Sequence, residues 1–315
     1  MSVFVAEELS EVLNTKVVIG RINMGLLNRI IIDDVLLDDQ SGQEMLKVTR
    51  LSAKFDIMPF FKGKISISSV QLFGFNINLR KETPDSPPNF KFVLDAFASK
   101  DTVKKENSLD LRINSILIRR GRMSYHVLSE EETPGKFNAK HIQLQNIIAN
   151  ISLKALSKDS LNLGIKRLSL DEKASGFSLK KMSLKLVANN KQTNIDNFTI
   201  ELPETSLKLD TIHLEYDSLK AFDRFTEQVH FSFRTLPSQV TLKDISPFVP
   251  ILSHFKEPVT LDMEVKGTVD QLTCSHLEIT ADDRQFRLRG DVSLQDLSRP
   301  QDAYVYGCLL YTSDA

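Results

Sequence analysis

The sequence has no tryptophan and only two cysteines, Cys274 and Cys308, which excludes a disulfide-stapled scaffold. Twelve glycines and 11 prolines in 315 residues are too few for a collagen-like chain or a low-complexity linker. No apolar run approaches the roughly 18 residues that a membrane-spanning helix needs. Neither sign of charge dominates: 40 basic residues face 41 acidic ones, the net charge is −1 and the pI is near 6.6. A nucleic-acid partner, which calls for a strongly basic face, is therefore not expected. Met1 to Ser10 carries Glu7 and Glu8 and lacks the basic start of a signal peptide. What is there is 41% hydrophobic and 26% charged, the balance of an ordinary folded protein. The length exceeds the roughly 250–300 residues at which a single core stops growing, so two domains or a repeating array is expected.

The dominant signal is period two, the mark of strands with one buried face. A phase slip recurs within it, apolar-x-apolar-x-x-apolar-x-apolar. It occurs at Ile30, Ile32, Val35, Leu37, then at Ile65, Ile67, Val70, Leu72, then at Leu111, Ile113, Ile116, Ile118. Leu163, Ile165, Leu168, Leu170 and Leu207, Leu209, Ile212, Leu214 repeat it, with partial copies at Val48/Leu51, Ala139/Ile142, Leu179/Met182, Ile195/Phe198 and Val269/Leu272. Leu184 and Leu186 continue the alternation that begins at Leu179. Two extra residues would flip the side chains to the other face, and a β-bulge restores it while bending the strand. The pattern predicts an all-β fold: a long twisted antiparallel sheet of bulged strands, curled into a U-shaped apolar groove, with a few short helices. Its floor is expected to comprise Ile65, Ile67, Val70, Leu72, Ile113, Ile116, Ile118, Leu163, Ile165, Leu168, Leu170, Leu184, Leu186, Leu207, Leu209, Ile212 and Leu214.

Punctuation divides the chain further. Val5, Leu9, Val12 and Leu13 at helical spacing make 1–15 the end of a helix, and 16–80 a first β segment. Residues 81–108 form an insertion, with Phe90, Val93, Leu94 and Phe97 on a helix capped by Asn89, and 109–307 resume the strands. Turns are expected at Asp39–Gly42, Pro134-Gly135, Ser175-Gly176 and Asn189-Asn190. Asp217 to Glu227 predicts a short helix, and Ser246-Pro247 a capped helical turn. Residues 308–315, CLLYTSDA, resemble the translation of a transposon adapter used to build sequencing libraries; the alternative is a genuine edge strand. On the adapter reading Cys308 is not native.

Catalysis finds no candidate. There is no phosphate loop, dinucleotide fingerprint, nucleophile elbow or zinc-protease motif. The histidines at 126, 141, 213, 230, 254 and 276 are scattered, and each reads as a surface or core residue. Asp33-Asp34 and Asp38-Asp39 match no calcium loop, and a solvated strand face explains them. Arg119, Arg120 and Arg122 form the one tight basic cluster, suited either to an anionic head group or to solvent. Cys274 lies in an alternating run and points to a core. No cofactor and no metal is expected. A polysaccharide-active solenoid would need paired carboxylates and aromatic platforms, which a chain without tryptophan and with five tyrosines does not suggest.

Five phrases in order carry a family resemblance: Leu13–Gly20, Asp34–Gly42, Asn89–Phe92, Leu242–Pro250 and Val265–Asp270. Through most of Val3 to Gly307 the chain resembles the TamB family of translocation and assembly module proteins, in their Bacteroidetes-type form, within the AsmA-like group of bridge-like lipid-transfer proteins. The resemblance implies a non-enzymatic periplasmic protein whose apolar β-groove carries phospholipids between inner and outer membranes. It also implies an N-terminal inner-membrane anchor and a C-terminal domain for an outer-membrane BamA/TamA-like barrel partner. Neither matches residues of this sequence, which accordingly reads as a segment of a longer protein. The same family suggests an alternative, assembly of outer-membrane proteins such as autotransporters through β-strand addition.

Overall fold

A computed structural model of the chain describes residues 2–26, 28–55, 67–98, 114–156, 160–281, 286–299 and 301–313. The fold is all-β, a large mixed sheet of 17 strands with a few short helices. The chain divides into two compact units, Met1–Ser152 with Ser169–Phe177, and Leu153–Leu168 with Ser178–Ala315. The insertion at 81–108 falls inside the first.

The first unit opens with α1 (Ser2–Leu13), followed by β1 (Val17–Gly25), β2 (Arg29–Asp38), β3 (Glu44–Phe55) and β4 (Ile67–Lys81). These four strands pair antiparallel in chain order, as short connections dictate. After α2 (Lys91–Ala98) the chain resumes at β5 (Ser115–Val127), which lies parallel to β4 with Val70 opposite Ile116. This corrects the expectation of a wholly antiparallel sheet. A parallel neighbour needs a crossover of a dozen or more residues, and the 33 between Lys81 and Ser115 supply it. β6 (His141–Leu156) returns antiparallel to β5, and the last residues of β7 (Ser160–Glu172) also belong here.

The second unit contains the start of β7, then β8 (Ser178–Asn189) and β9 (Gln192–Glu201). β9 pairs with two short strands, β11 (Ile212–Glu215) along its first half and β10 (Ser206–Leu209) along its second. A 3₁₀ turn at Leu219–Arg224 and α3 (Phe225–Gln228) form the helix expected at 217–227. β12 (His230–Arg234) and β13 (Ser238–Val240) share β14 (Val259–Gly267) in the same way. β15 (Gln271–Ala281), β16 (Phe286–Gln295) and β17 (Tyr304–Ser313) follow as antiparallel neighbours. Residues Cys308–Ser313 of the suspected tail thus take part in β17.

Some of the phase slips become backbone kinks, while those at Thr49-Arg50, Lys166-Arg167 and Lys180-Lys181 carry no left-handed residue. Where two residues separate apolar positions, the second adopts a left-handed conformation at Asp34 (φ 58°), Gly74 (64°), Arg120 (56°), Asn146 (55°), Asn197 (54°) and His276 (56°). Gly, Asn, Asp and His are the residues that tolerate this region. The sequence pattern marks the slips at Asp34 and Asn197 but not those at 73–74, 119–120, 145–146 and 275–276. In the first five strands the kinks are not insertions opposite a straight partner. Register on either side places Gly20, Asp34, Thr49, Gly74 and Arg120 in one row, so the ladder stays in step across β1–β5. Register does shift between Ile118 and Gly121 on β5, Ser183 and Lys185 on β8, and Cys274 and Leu277 on β15.

All four expected turns are present, with Gly42, Gly135 and Gly176 at positive φ and Asn189 accepting from the Lys191 and Gln192 amides. Two local expectations are corrected. Asn89 spends its side chain on the Arg80 amide, Asp39 and the Asn78 carbonyl rather than on capping α2, because the strand end offers it three partners. The helical turn past residue 246 is opened by Pro250 (3₁₀, Pro250–His254), while Ser246 closes a preceding 3₁₀ turn at Leu242–Ile245.

Candidate functional site

Cross-strand register gathers the apolar positions of the first unit into rows on one face. One runs Ile22, Ile32, Leu51, Leu72, Ile118, Ala149 across six strands. Its neighbour runs Ile19, Val35, Val48, Phe75, Gly121, Ile147. On the far sides lie Met24, Ile30, Ala53, Val70, Ile116, Ile151, and Val17, Leu37, Leu46, Ile77, Met123, Leu144. The row through Phe75 is the most enclosed: Ile19, Val48, Phe75 and Ile147 are buried, and Leu72, Ile118 and Leu170 pack against them. Gly121 is obligatory there, since a Cβ would sit 2.4 Å from the Phe75 ring. Outside this row most members are half-buried, and Met24 is exposed.

Helices cover one end of this face. Ala6 and Leu13 of α1, with Phe90, Phe92 and Val93 at and before α2, pack on Val17, Ile19, Leu37 and Met45. The cluster around Val48, Phe75 and Ile147 is drawn from strands alone, with Val35, Leu46, Leu51, Ile77, Met123 and Leu144 contributing. The apolar face is therefore a helix-covered core at one end and a half-exposed surface of Ile, Leu and Val beyond it.

The second unit has shorter rows. Leu186, Ile195 and Ile212 adjoin on three strands, as do Met182, Ile200 and Leu207. Leu209 lies opposite Phe198 and is buried, and Leu214 lies between Thr193 and Phe231. Leu163, Ile165, Leu168 and Leu184 are half-buried. Longer ladders went unread in the sequence: Phe233, Val265, Cys274, Val292, and Leu261, Ile279, Leu288. Their signal is alternation, with one slip at Ser275-His276 on β15. Of the expected floor, Ile65 and Ile113 lie outside the described residues, and Ile67 is placed in β4 by its backbone only.

The reverse face is polar and charge-paired. Arg21, Asp33, Arg50, Phe73 and Arg119 form one row. The Arg50 Nε donates to Asp33 at 2.6 Å, and this bond holds the Asp33 carboxyl below its usual range. Arg119 and Arg122 alternate with the floor residues Ile118 and Met123, so they project away from the floor, and Arg120 lies over the Phe73 ring at 5.3 Å. A cavity of about 390 Å³ on this side is lined by Lys47, Asn76, Arg120 and Arg122. The basic cluster therefore does not flank the apolar rows.

Two buried carboxylates are structural. Burial pushes the Asp39 carboxyl up, but donors from Ser41, Gln43 and Asn89 outweigh it and the net shift is downward, with Arg80 at 2.7 Å. Glu172 behaves likewise: burial is outweighed by the Ser175 hydroxyl and the amides of Gln143, Ser175 and Ala174. With Asp33 and Asp39 so engaged, the acidic pairs do not assemble a calcium site. Cys274 is buried, and burial with Asp291 nearby raises its thiol pKa, which disfavours the thiolate. His213 sits between Asn194 and Glu215. The pair His126 and His141 is brought face to face across β5 and β6, a juxtaposition the sequence did not suggest at a separation of 15 residues. Among the described residues no helix is long and apolar enough to cross a membrane. No protein-family model and no curated protein matches the chain.

Proposed function

We propose that the apolar β-face is a non-enzymatic conduit for phospholipid acyl chains, belonging to a cell-envelope protein of the TamB/AsmA-like type. On this reading the curled sheet forms a U-shaped groove in the periplasm, anchored to the inner membrane by parts of the protein outside these residues. Support comes from one observation above all: rows of apolar side chains continue across six strands, and outside the buried row through Phe75 most of their Ile, Leu and Val members stay half-exposed. Drawing a 16-carbon chain into water costs on the order of 12 kcal/mol at about 0.8 kcal/mol per CH₂. A continuous apolar floor removes most of that cost. Because neighbouring rows are chemically interchangeable, no position holds a chain much more tightly than the next, and a lipid can slide. An outer-membrane BamA/TamA-like barrel would be met through other regions of the protein.

The test uses two adjacent positions on opposite faces. Leu72→Arg places a charge on the floor, and Gln71→Arg places the same charge on the reverse face. Mass spectrometry of lipids that co-purify with each variant is expected to find phospholipid with the parent and Gln71→Arg, and little with Leu72→Arg. Equal loading of both variants would sink the conduit. A folded but lipid-free parent would pass the lead to strand addition, for which client peptides should crosslink along strand edges.

A further inference from the structure

The β5–β6 hairpin places three metal-ligating side chains together at its closed end. His126 and His141 are directly opposed in the register, and their Nδ1 atoms lie 3.1 Å apart. Glu132, on the connecting loop, brings Oε1 to 3.9 Å from the His126 Nδ1. The three ligand atoms all fall within 4.8 Å of one another. His141 is buried and His126 half-buried, while Glu132 is exposed, so the cluster is closed below and open on the carboxylate side.

The tautomer of His141 is fixed from behind. Its Nε2 lies 2.9 Å from the Glu130 carbonyl, an acceptor, so Nε2 carries the proton and the Nδ1 lone pair points toward His126. A backbone carbonyl on the second ring nitrogen is the outer-shell arrangement that orients metal-binding imidazoles. The loop is also held: Asn138 donates to the Glu131 carbonyl at 3.1 Å and accepts from the Lys140 amide at 2.9 Å, which fixes the loop on either side of Glu132. Lys140 is engaged with Glu130 at 2.7 Å rather than with Glu132. Ligand pairs in a tetrahedral zinc site stand about 3.3 Å apart, given bonds of about 2.0–2.1 Å. The two nitrogens need to open by a few tenths of an ångström, and the exposed Glu132 carboxylate to close by about half an ångström on His126 and by up to about 1.5 Å on His141, which its loop side chain supplies by rotation.

We propose that His126, His141 and Glu132 form a transition-metal site of the zinc class, with water in the fourth position. Two imidazoles and a carboxylate favour zinc and its neighbours over magnesium or calcium, which prefer all-oxygen sets. A bound ion joins adjacent strands and their loop, clamping the hairpin end of the first unit.

The full chain, stripped with a chelator, is titrated with zinc against a chromophoric zinc indicator, and separately with cobalt while the visible spectrum is recorded. One equivalent of zinc is expected, with tetrahedral cobalt bands. Glu132→Gln and His126→Asn should each weaken zinc binding at least about tenfold and abolish those bands, since losing a ligand costs no less than losing an outer-shell partner. Glu132 is exposed, so its substitution leaves folding intact, and circular dichroism checks His126→Asn. No zinc uptake, or uptake unchanged by both substitutions, overturns the site and leaves the histidines as a plain cross-strand hydrogen bond.

Discussion

The two units meet the same demand in different ways. In the first, strands interrupted by two-residue slips stay continuous: a left-handed residue absorbs the offset at Asp34, Gly74, Arg120 and Asn146, while β3 runs through Thr49-Arg50 without one. In the second, Asn197 and His276 kink in that manner and β7 and β8 pass their slips unbroken, but two further stretches break into the pairs β10/β11 and β12/β13. The breaks fall at Asp210-Thr211 and at Thr235–Pro237. Threonine resists left-handed backbone because it is β-branched, and proline cannot donate to the ladder. Side chains supply what the broken ladder loses. Thr235 accepts from the Met263 amide at 2.8 Å, and its own amide donates to the Met263 carbonyl. Thr211 donates to Asp196 at 2.8 Å, beside the kink at Asn197. A residue that tolerates positive φ lets a strand bend, and where β10/β11 and β12/β13 break instead, a threonine hydroxyl takes over part of the bonding.

The largest effect that would break this comparison is expected at Thr235, which is 2% exposed. Thr235→Val keeps the shape but takes from the half-buried Met263 amide its acceptor, at a cost of about 1–3 kcal/mol in denaturant unfolding. A loss within experimental error would mean that the hydroxyl does not substitute for the ladder. Next comes Gly74 in the first unit. Gly74→Ala adds a Cβ at φ 64°, 2.7 Å from the Thr49 hydroxyl, and should cost about 1–2 kcal/mol from backbone strain, with the steric contact in addition. An unchanged midpoint would show that the kink row does not depend on left-handed freedom.

The smallest effect is electrostatic and sharpens the comparison by pH. Asp39 and Glu172, both in the first unit, titrate below their unfolded values. Their contribution is therefore complete above the unfolded carboxyl range of about 4 and is lost as pH falls through the lower folded values. In the second unit Glu264 and Glu278 owe their lowered values first to bonds with Lys266 and Arg289, whose side chains are largely exposed and whose effect salt screens, while Asp270 owes its own first to Ser298. Acid unfolding of the parent below pH 4, followed against Glu172→Gln, should show a shallower decline in the variant. Added salt should leave that difference largely intact. Parallel acid profiles would show that Glu172 does not carry the pH dependence.

Much of this was legible before any coordinates. Alternation with slips told strands from helices, and Asp39–Gly42 and Ser175-Gly176 read as turns because their side chains bond the local backbone. Phe90, Val93, Leu94 and Phe97 marked the helix that becomes α2, part of the cover over the first strands. What stayed hidden depended on partners distant in sequence. Asn89 looked like a cap until β4 offered its chain end, and Pro250 rather than Pro247 opens the later helical turn. Phe75 and Gly121 acquire meaning only when β4 and β5 run parallel and bring the ring onto the glycine.

The sequence by itself determined that this is an all-β chain with an apolar face and slips where two residues interrupt the alternation, because side-chain period is a local property. Only the tertiary structure decided that β5 lies parallel to β4, which slips bend and which break, and that His126, His141 and Glu132 converge. Register across strands joins residues through space, and one strand's pattern carries no record of which neighbour completes its ladder.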